Sequence, residues 1–62
     1  MKNGKELNIG DCIQDPKSNK KYSPIEKIQR DQSTQSYLIH FECGMVRVLR
    51  DGVKVIVNEV KQ

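Results

Sequence analysis

Tyr37-Leu38-Ile39-His40-Phe41-Glu42-Cys43-Gly44-Met45-Val46-Arg47-Val48-Leu49 alternates apolar and polar residues on either side of Cys43-Gly44. A period of two on both arms predicts a β-hairpin with one buried face. A two-residue turn at Cys43-Gly44 sets the register, because turn length determines which residues oppose each other. On that register Phe41 faces Val46 and Ile39 faces Val48 on the core side. The other side pairs Glu42 with Met45, His40 with Arg47 and Leu38 with Leu49.

Outward from the hairpin, Arg50-Asp51-Gly52 reads as a tight turn in which Gly52 is free to take a positive φ. Val53-Lys54-Val55-Ile56-Val57 follows as a β-branched strand, with Val53, Val55 and Val57 on its core face. On the N-terminal side, Asp31-Gln32-Ser33-Thr34-Gln35-Ser36 has no apolar anchor and is a loop. Tyr22 to Arg30 carries two signals. Ser23-Pro24-Ile25-Glu26 satisfies a helix start, with a Ser cap, Pro at the first helical position and Glu three residues after the cap. Its short length and its flanking strands favour an extended strand instead, with Pro24 at an edge or bulge. Asp15-Pro16-Lys17-Ser18-Asn19-Lys20-Lys21 is a turn by composition and the most basic exposed segment. Leu7 to Gln14 opens the fold, with Gly10-Asp11 changing its direction. Residues 1–6 are polar and expected to be flexible, residues 7–58 form the domain, and 59–62 are a tail.

The chain has 62 residues, about a third of them apolar, and no Trp. That predicts a thin aliphatic core near the lower size limit for independent folding. It also leaves little room for a walled substrate cleft, since ligand pockets enclose roughly 300–1,000 Å³. A binding module is favoured over an enzyme. Eleven Lys and Arg against eight Asp and Glu give a net charge of +3, compatible with an acidic partner such as DNA or RNA. No apolar run suits a membrane span or signal peptide, so no membrane partner is expected and the location reads as cytoplasmic. Two cysteines make no disulfide framework, and both are expected to be free thiols.

Short strands joined by short turns hide one face best by curling into a small open barrel. Ile9-Gly10-Asp11-Cys12-Ile13, Tyr22, Tyr37 to Gly44 and Val53-Lys54-Val55 resemble small SH3-like barrels. The Tudor-like and integrase C-terminal varieties belong there, as do short barrels of phages and mobile elements. The resemblance spans Leu7 to Val57 and implies an all-β, five-stranded SH3-like open barrel that binds a partner. The acidic peptide-binding loop and paired aromatics of signalling SH3 domains are missing, and so is the aromatic cage of Tudor domains. Fold alone assigns no ligand.

The chemistry-bearing residues are few. His40, Cys43 and Cys12 fall short of a four-ligand zinc set, and His40 and Cys43, three apart on a strand, point to opposite faces. No metal or other cofactor is expected. The only histidine has no orienting group for a Cys–His nucleophile, so no catalytic residue is assigned. The basic residues carry more. Arg47 and Lys54 are expected opposite the core with Arg50 between their strands, forming a phosphate-binding cluster, and Lys17, Lys20 and Lys21 add a basic loop. Tyr22 and Tyr37 offer stacking surface for unpaired bases. The competing surface is apolar. Leu38, Met45, Leu49 and Ile56 fall on the outer face by alternation, which suits a protein partner, a self-dimer or a phage-type inhibitor of a host protein.

Overall fold

The structure is a computed structural model that describes residues 1–58; the expected tail, 59–62, lies outside the described residues. It is all-β. Six strands run in chain order as β1 (Lys2–Asn3), β2 (Cys12–Gln14), β3 (Ile25–Asp31), β4 (Ser36–Phe41), β5 (Val46–Arg50) and β6 (Lys54–Asn58). They form two three-stranded antiparallel sheets, ordered β1-β6-β2 and β3-β4-β5, with no closed barrel among the described residues. One core lies between them: Leu7, Ile13, Ile25, Ile39, Phe41, Leu49 and Val55, with Tyr22, Ile28, Tyr37 and Val57 packed on its margin. The sheets are stitched where Gly10 N–H donates to the Ile25 carbonyl (2.8 Å) and Ile25 N–H to the Asp11 carbonyl (2.9 Å).

The strand reading of the ambiguous segment holds, starting at Ile25 rather than Tyr22. Ile25 pairs with Phe41 and Lys27 with His40, which leaves Glu26 as the extra residue of a bulge. Pro24 sits just outside the strand, where its missing N–H costs nothing, and its carbonyl accepts from Glu42 N–H at 3.0 Å. The turn at Asp51-Gly52 forms as expected, with Gly52 at φ 86° and Val53 N–H donating to the Arg50 carbonyl.

The central hairpin forms, but its register is one residue away from the expected one. Phe41 N–H donates to the Met45 carbonyl and Gly44 N–H to the Phe41 carbonyl, both at 2.9 Å. The loop therefore has three residues, Glu42, Cys43 and Gly44, with Gly44 at φ 92°. Cys43 is the reason. Both two-residue turn types that suit a twisted hairpin need positive φ at the first central position, here Cys43, which glycine tolerates and cysteine resists. The longer loop needs positive φ only at its last residue. The observed pairs are His40 with Val46, Ile39 with Arg47, Leu38 with Val48, Tyr37 with Leu49 and Ser36 with Arg50. A slip of one residue exchanges the faces of a whole strand. Leu49 is buried in the core, while Val46 and Val48 stand outside, 52% and 56% exposed.

The N-terminal residues also depart from expectation. Lys2 pairs with Val55 and Asn3 with Lys54, so two residues of the segment expected to be flexible form a short edge strand. Asn3 then caps a single 3-10 turn, Gly4–Glu6, through reciprocal bonds with the Lys5 and Glu6 ends of that turn. Gly4 is buried against Tyr37: a Cβ there would lie 2.6 Å from the ring. That contact ties the N-terminus to β4. Leu7 is buried in the core, while Ile9, two residues on, is exposed at the turn with Gly10.

Candidate functional site

Each basic residue singled out from the sequence has a definite place. Arg47 lies on the core side of β5 because of the register, and is half-buried. Its Nη1 donates to Asp15 Oδ2 (3.1 Å) and to the Tyr22 hydroxyl (2.9 Å), clasping β5 to the β2–β3 loop. Arg50, three residues on, projects to the opposite face and is exposed. Lys54 is exposed on the other sheet, opposite Asn3. The expected adjacency of Arg47, Arg50 and Lys54 therefore does not form, since it depended on the shorter turn.

Lys17, Lys20 and Lys21 are brought together on the β2–β3 loop, all exposed. This loop is ordered by its own residues. Asp15 N–H donates to the Lys20 carbonyl (2.9 Å) and Asn19 N–H to the Asp15 carbonyl (2.8 Å). The Asp15 carboxylate accepts from the backbone N–H groups of Lys17 (2.8 Å) and Ser18 (3.4 Å). Asn19, at φ 58°, takes the left-handed position that asparagine tolerates better than most residues. At the loop's base, Tyr22 stacks on Phe41 with centroids 4.8 Å apart, and Lys20 Nζ sits 5.2 Å from the Tyr22 ring centre. Asp15 is thus fully engaged, by the loop backbone and by Arg47. It leaves the three lysines as uncompensated charge.

A second polar site lies between the N-terminus and the β5–β6 turn. An open cleft of about 410 Å³ is lined by Asn3, Gly4, Lys5, Arg30, Tyr37, Asp51 and Gly52. Small size had argued against such a space; docking of the N-terminal strand creates it. Arg30 grips Asp51 with two bonds, 2.6 and 2.9 Å, and its guanidinium lies 4.7 Å from the centre of the Tyr37 ring. The arginine is therefore committed to a pair. Arg30–Asp51 and Arg47–Asp15 are the two ion pairs among the described residues, and neither aspartate follows from sequence spacing alone.

Both aspartates titrate below the ordinary carboxylate range. Backbone donation from Lys17, followed by the Arg47 hydrogen bond, lowers Asp15; the Arg30 hydrogen bond lowers Asp51 and raises Arg30 in turn. Asp31 is lowered too, by the side chains of Ser33 and Thr34. Carboxylates depressed in the folded state stabilise it above their unfolded pKa, about 3.9, and that contribution is lost as pH falls through their lower folded values. The domain's melting temperature is therefore expected to be flat from pH 7 to about pH 5 and to fall below about pH 4. A melt series across that range checks this, and a melting temperature that rises on acidification contradicts it.

The remaining candidates are dispersed. Cys12 is half-buried in β2 and Cys43 is exposed in the hairpin loop, both as free thiols. The Cys43 thiol is lowered by the Ser23 hydroxyl. His40 Nε2 is hydrogen-bonded to Gln29 Oε1 at 2.7 Å, beside Val46 rather than Arg47. Among the described residues no three potential metal ligands cluster, and no helix is long and apolar enough to cross a membrane. Of the expected apolar surface, Leu38 is half-buried on the outer face of the meander and Met45 is exposed at the hairpin loop. Leu49 is in the core, and Ile56 lies half-buried on the other sheet, opposite Gln14. On the outer face of the meander Leu38 is joined by Val46 and Val48, which the expected register had placed on the core side. Compared with family models, curated proteins and solved structures, the chain matches none of them.

Proposed function

We propose that this protein is a small, non-enzymatic, cytoplasmic binding module that contacts the phosphates of nucleic acid through Lys17, Lys20 and Lys21, with Arg50 and Lys54 as outlying cations. The uncompensated charge of the β2–β3 loop is the observation that carries this reading. Three lysines project from one ordered turn whose only carboxylate is already held by Arg47 and the loop backbone. An ordered loop loses little conformational entropy when it meets a polyanion, unlike a flexible basic tail. Lysine makes point-charge contacts to phosphate and reads no bases, so weak affinity with little sequence preference is expected. Tyr22, stacked on Phe41 with Lys20 and Arg47 over its ring, anchors the base of this loop rather than offering a stacking surface for bases.

We infer further that the architecture is a variant of the SH3-like open barrel. Its support is the strand order, in which the meander β3-β4-β5 is followed by a last strand that returns to pair with β2.

Three lysine–phosphate contacts have a measurable signature. Each releases condensed counterions, so the logarithm of affinity is expected to fall with the logarithm of salt at a slope of about −2 for single strands and about −3 for duplex. Fluorescence anisotropy of a labelled oligonucleotide at several salt concentrations reads this slope. A slope near zero would remove phosphate contact as the basis of binding.

A further inference from the structure

The open side of β5 is the unused feature of the fold. It is the edge of its sheet, and β4 is its only hydrogen-bonded strand neighbour among the described residues. The bonds from Phe41 N–H to the Met45 carbonyl and from Asp51 N–H to the Gln35 carbonyl show which residues turn their backbone toward β4. By antiparallel alternation these are Met45, Arg47, Leu49 and Asp51. Val46, Val48 and Arg50 therefore direct their N–H and C=O groups away from the sheet; the Arg50 carbonyl bonds to Val53 N–H. The side chains of these same residues lie on the outer face, where Val46 and Val48 are more than half exposed. An exposed edge with β-branched residues, whose ladder groups apart from the Arg50 carbonyl have no strand partner among the described residues, is a template for another strand.

We propose that this edge pairs with the β5 edge of a second copy of the chain, antiparallel about a two-fold axis at Val48, to make one continuous six-stranded sheet. The sequence of β5 selects that occupant and that register. Centred on Val48, the pairing sets Val48 against the partner's Val48 and Val46 against the partner's Arg50, with Arg50 against the partner's Val46. All three outward-directed residues are then used, and no arginine faces another. Centring on Arg47 or on Arg50 would oppose each of those residues to its own copy, which like charges disfavour. The chosen register also joins the rows already formed within each sheet. Gln29, Leu38 and Val48 lie side by side, so the two copies align Leu38-Val48 with the partner's Val48-Leu38 as one apolar stripe. Such an isologous contact closes on itself and stops at a dimer. Edge pairing of one short strand buries less than the roughly 1,000 Å² of a stable interface, and each copy carries a net charge of +3. The association is therefore weak and reversible. It does not involve Lys17, Lys20 or Lys21, the proposed phosphate contacts on the β2–β3 loop.

The test is sedimentation equilibrium of the wild type, Val46→Glu and Val48→Glu at concentrations up to about 1 mM. The two variants lower the net charge equally, so a difference between them reports register. Val46→Glu places a carboxylate opposite the partner's Arg50, twice by symmetry, and is expected to tighten the dimer about threefold or more. Val48→Glu opposes like charges at the axis and is expected to weaken it at least about tenfold. Both positions are exposed, and a cooperative melt confirms folding; Val48→Lys serves in the same role if Val48→Glu does not fold. The proposal is overturned if wild type and Val46→Glu are both monomeric at about 1 mM, or if the two substitutions shift association in the same direction.

Discussion

Phe41→Ala is expected to remove most of the stability of this domain, lowering its melting temperature by on the order of 15 °C or more. Phe41 is fully buried at the end of β4, and its ring stacks on Tyr22. Truncating a buried Phe to Ala costs about 3–5 kcal/mol, from lost transfer energy and from the cavity left behind. A chain this short has a total stability of about 3–9 kcal/mol at the usual 0.05–0.15 kcal/mol per residue. The cost therefore approaches the whole. The same truncation also loosens Tyr22, the hydroxyl of which helps to hold Arg47 against the β2–β3 loop. Val48→Ala, on the exposed side of the neighbouring strand, is expected to change stability by no more than about 0.5 kcal/mol. Thermal melts followed by circular dichroism measure both. A Phe41→Ala protein that melts within a few degrees of the wild type would mean that the core does not converge on this ring.

The hairpin explains why some of the structure was legible in the sequence and some was not. Alternation of apolar and polar residues from Tyr37 to Leu49 correctly implied two paired strands, because a half-buried sheet leaves no other stable pattern. Alternation does not determine how many residues the turn consumes. Val46, Val48 and Leu49 are all apolar, so either parity gives β5 an acceptable buried face. The deciding signal was the unwillingness of Cys43 to take a positive φ, a local preference that a count of alternating residues overlooks. From that one residue follow the burial of Leu49, the exposure of Val46 and Val48, and the placing of Arg47 on the core side.

The ion pairs were hidden for a different reason. Asp15 and Arg47 are 32 positions apart, and Arg30 and Asp51 are 21 apart, so no sequence window brings either pair together. The N-terminus was misleading because Lys2-Asn3-Gly4-Lys5-Glu6 buries no large side chain. What holds it is the backbone ladder to β6 and the absence of a Cβ at Gly4, which lets the chain approach Tyr37. The β2–β3 loop, by contrast, was legible in both structure and charge. Asp-Pro-Lys-Ser-Asn states its turn chemistry locally, and exposed lysines need no tertiary context to be recognised.

The loop is also where the functional account is most exposed to refutation. Lys17→Glu/Lys20→Glu/Lys21→Glu reverses three charges on a turn whose geometry depends on Asp15 and Asn19 rather than on the lysine side chains. Folding is therefore expected to survive, and the melting temperature serves as the control. Arg50→Glu/Lys54→Glu reverses two exposed cations elsewhere on the surface, on separate sheets. If the loop makes the phosphate contacts, the triple variant loses those contacts and gains repulsion at the same positions, and its affinity falls at least about a hundredfold. The double variant changes only the long-range field, which is largely screened beyond about 10 Å at 0.1 M salt, so its loss is several-fold. The decisive measurement is the affinity of these two variants and the wild type for one labelled oligonucleotide at a single salt concentration of about 0.1 M. Loss of binding in the triple variant with retention in the double variant is the predicted result; a folded triple variant that binds within about threefold of the wild type would contradict the account.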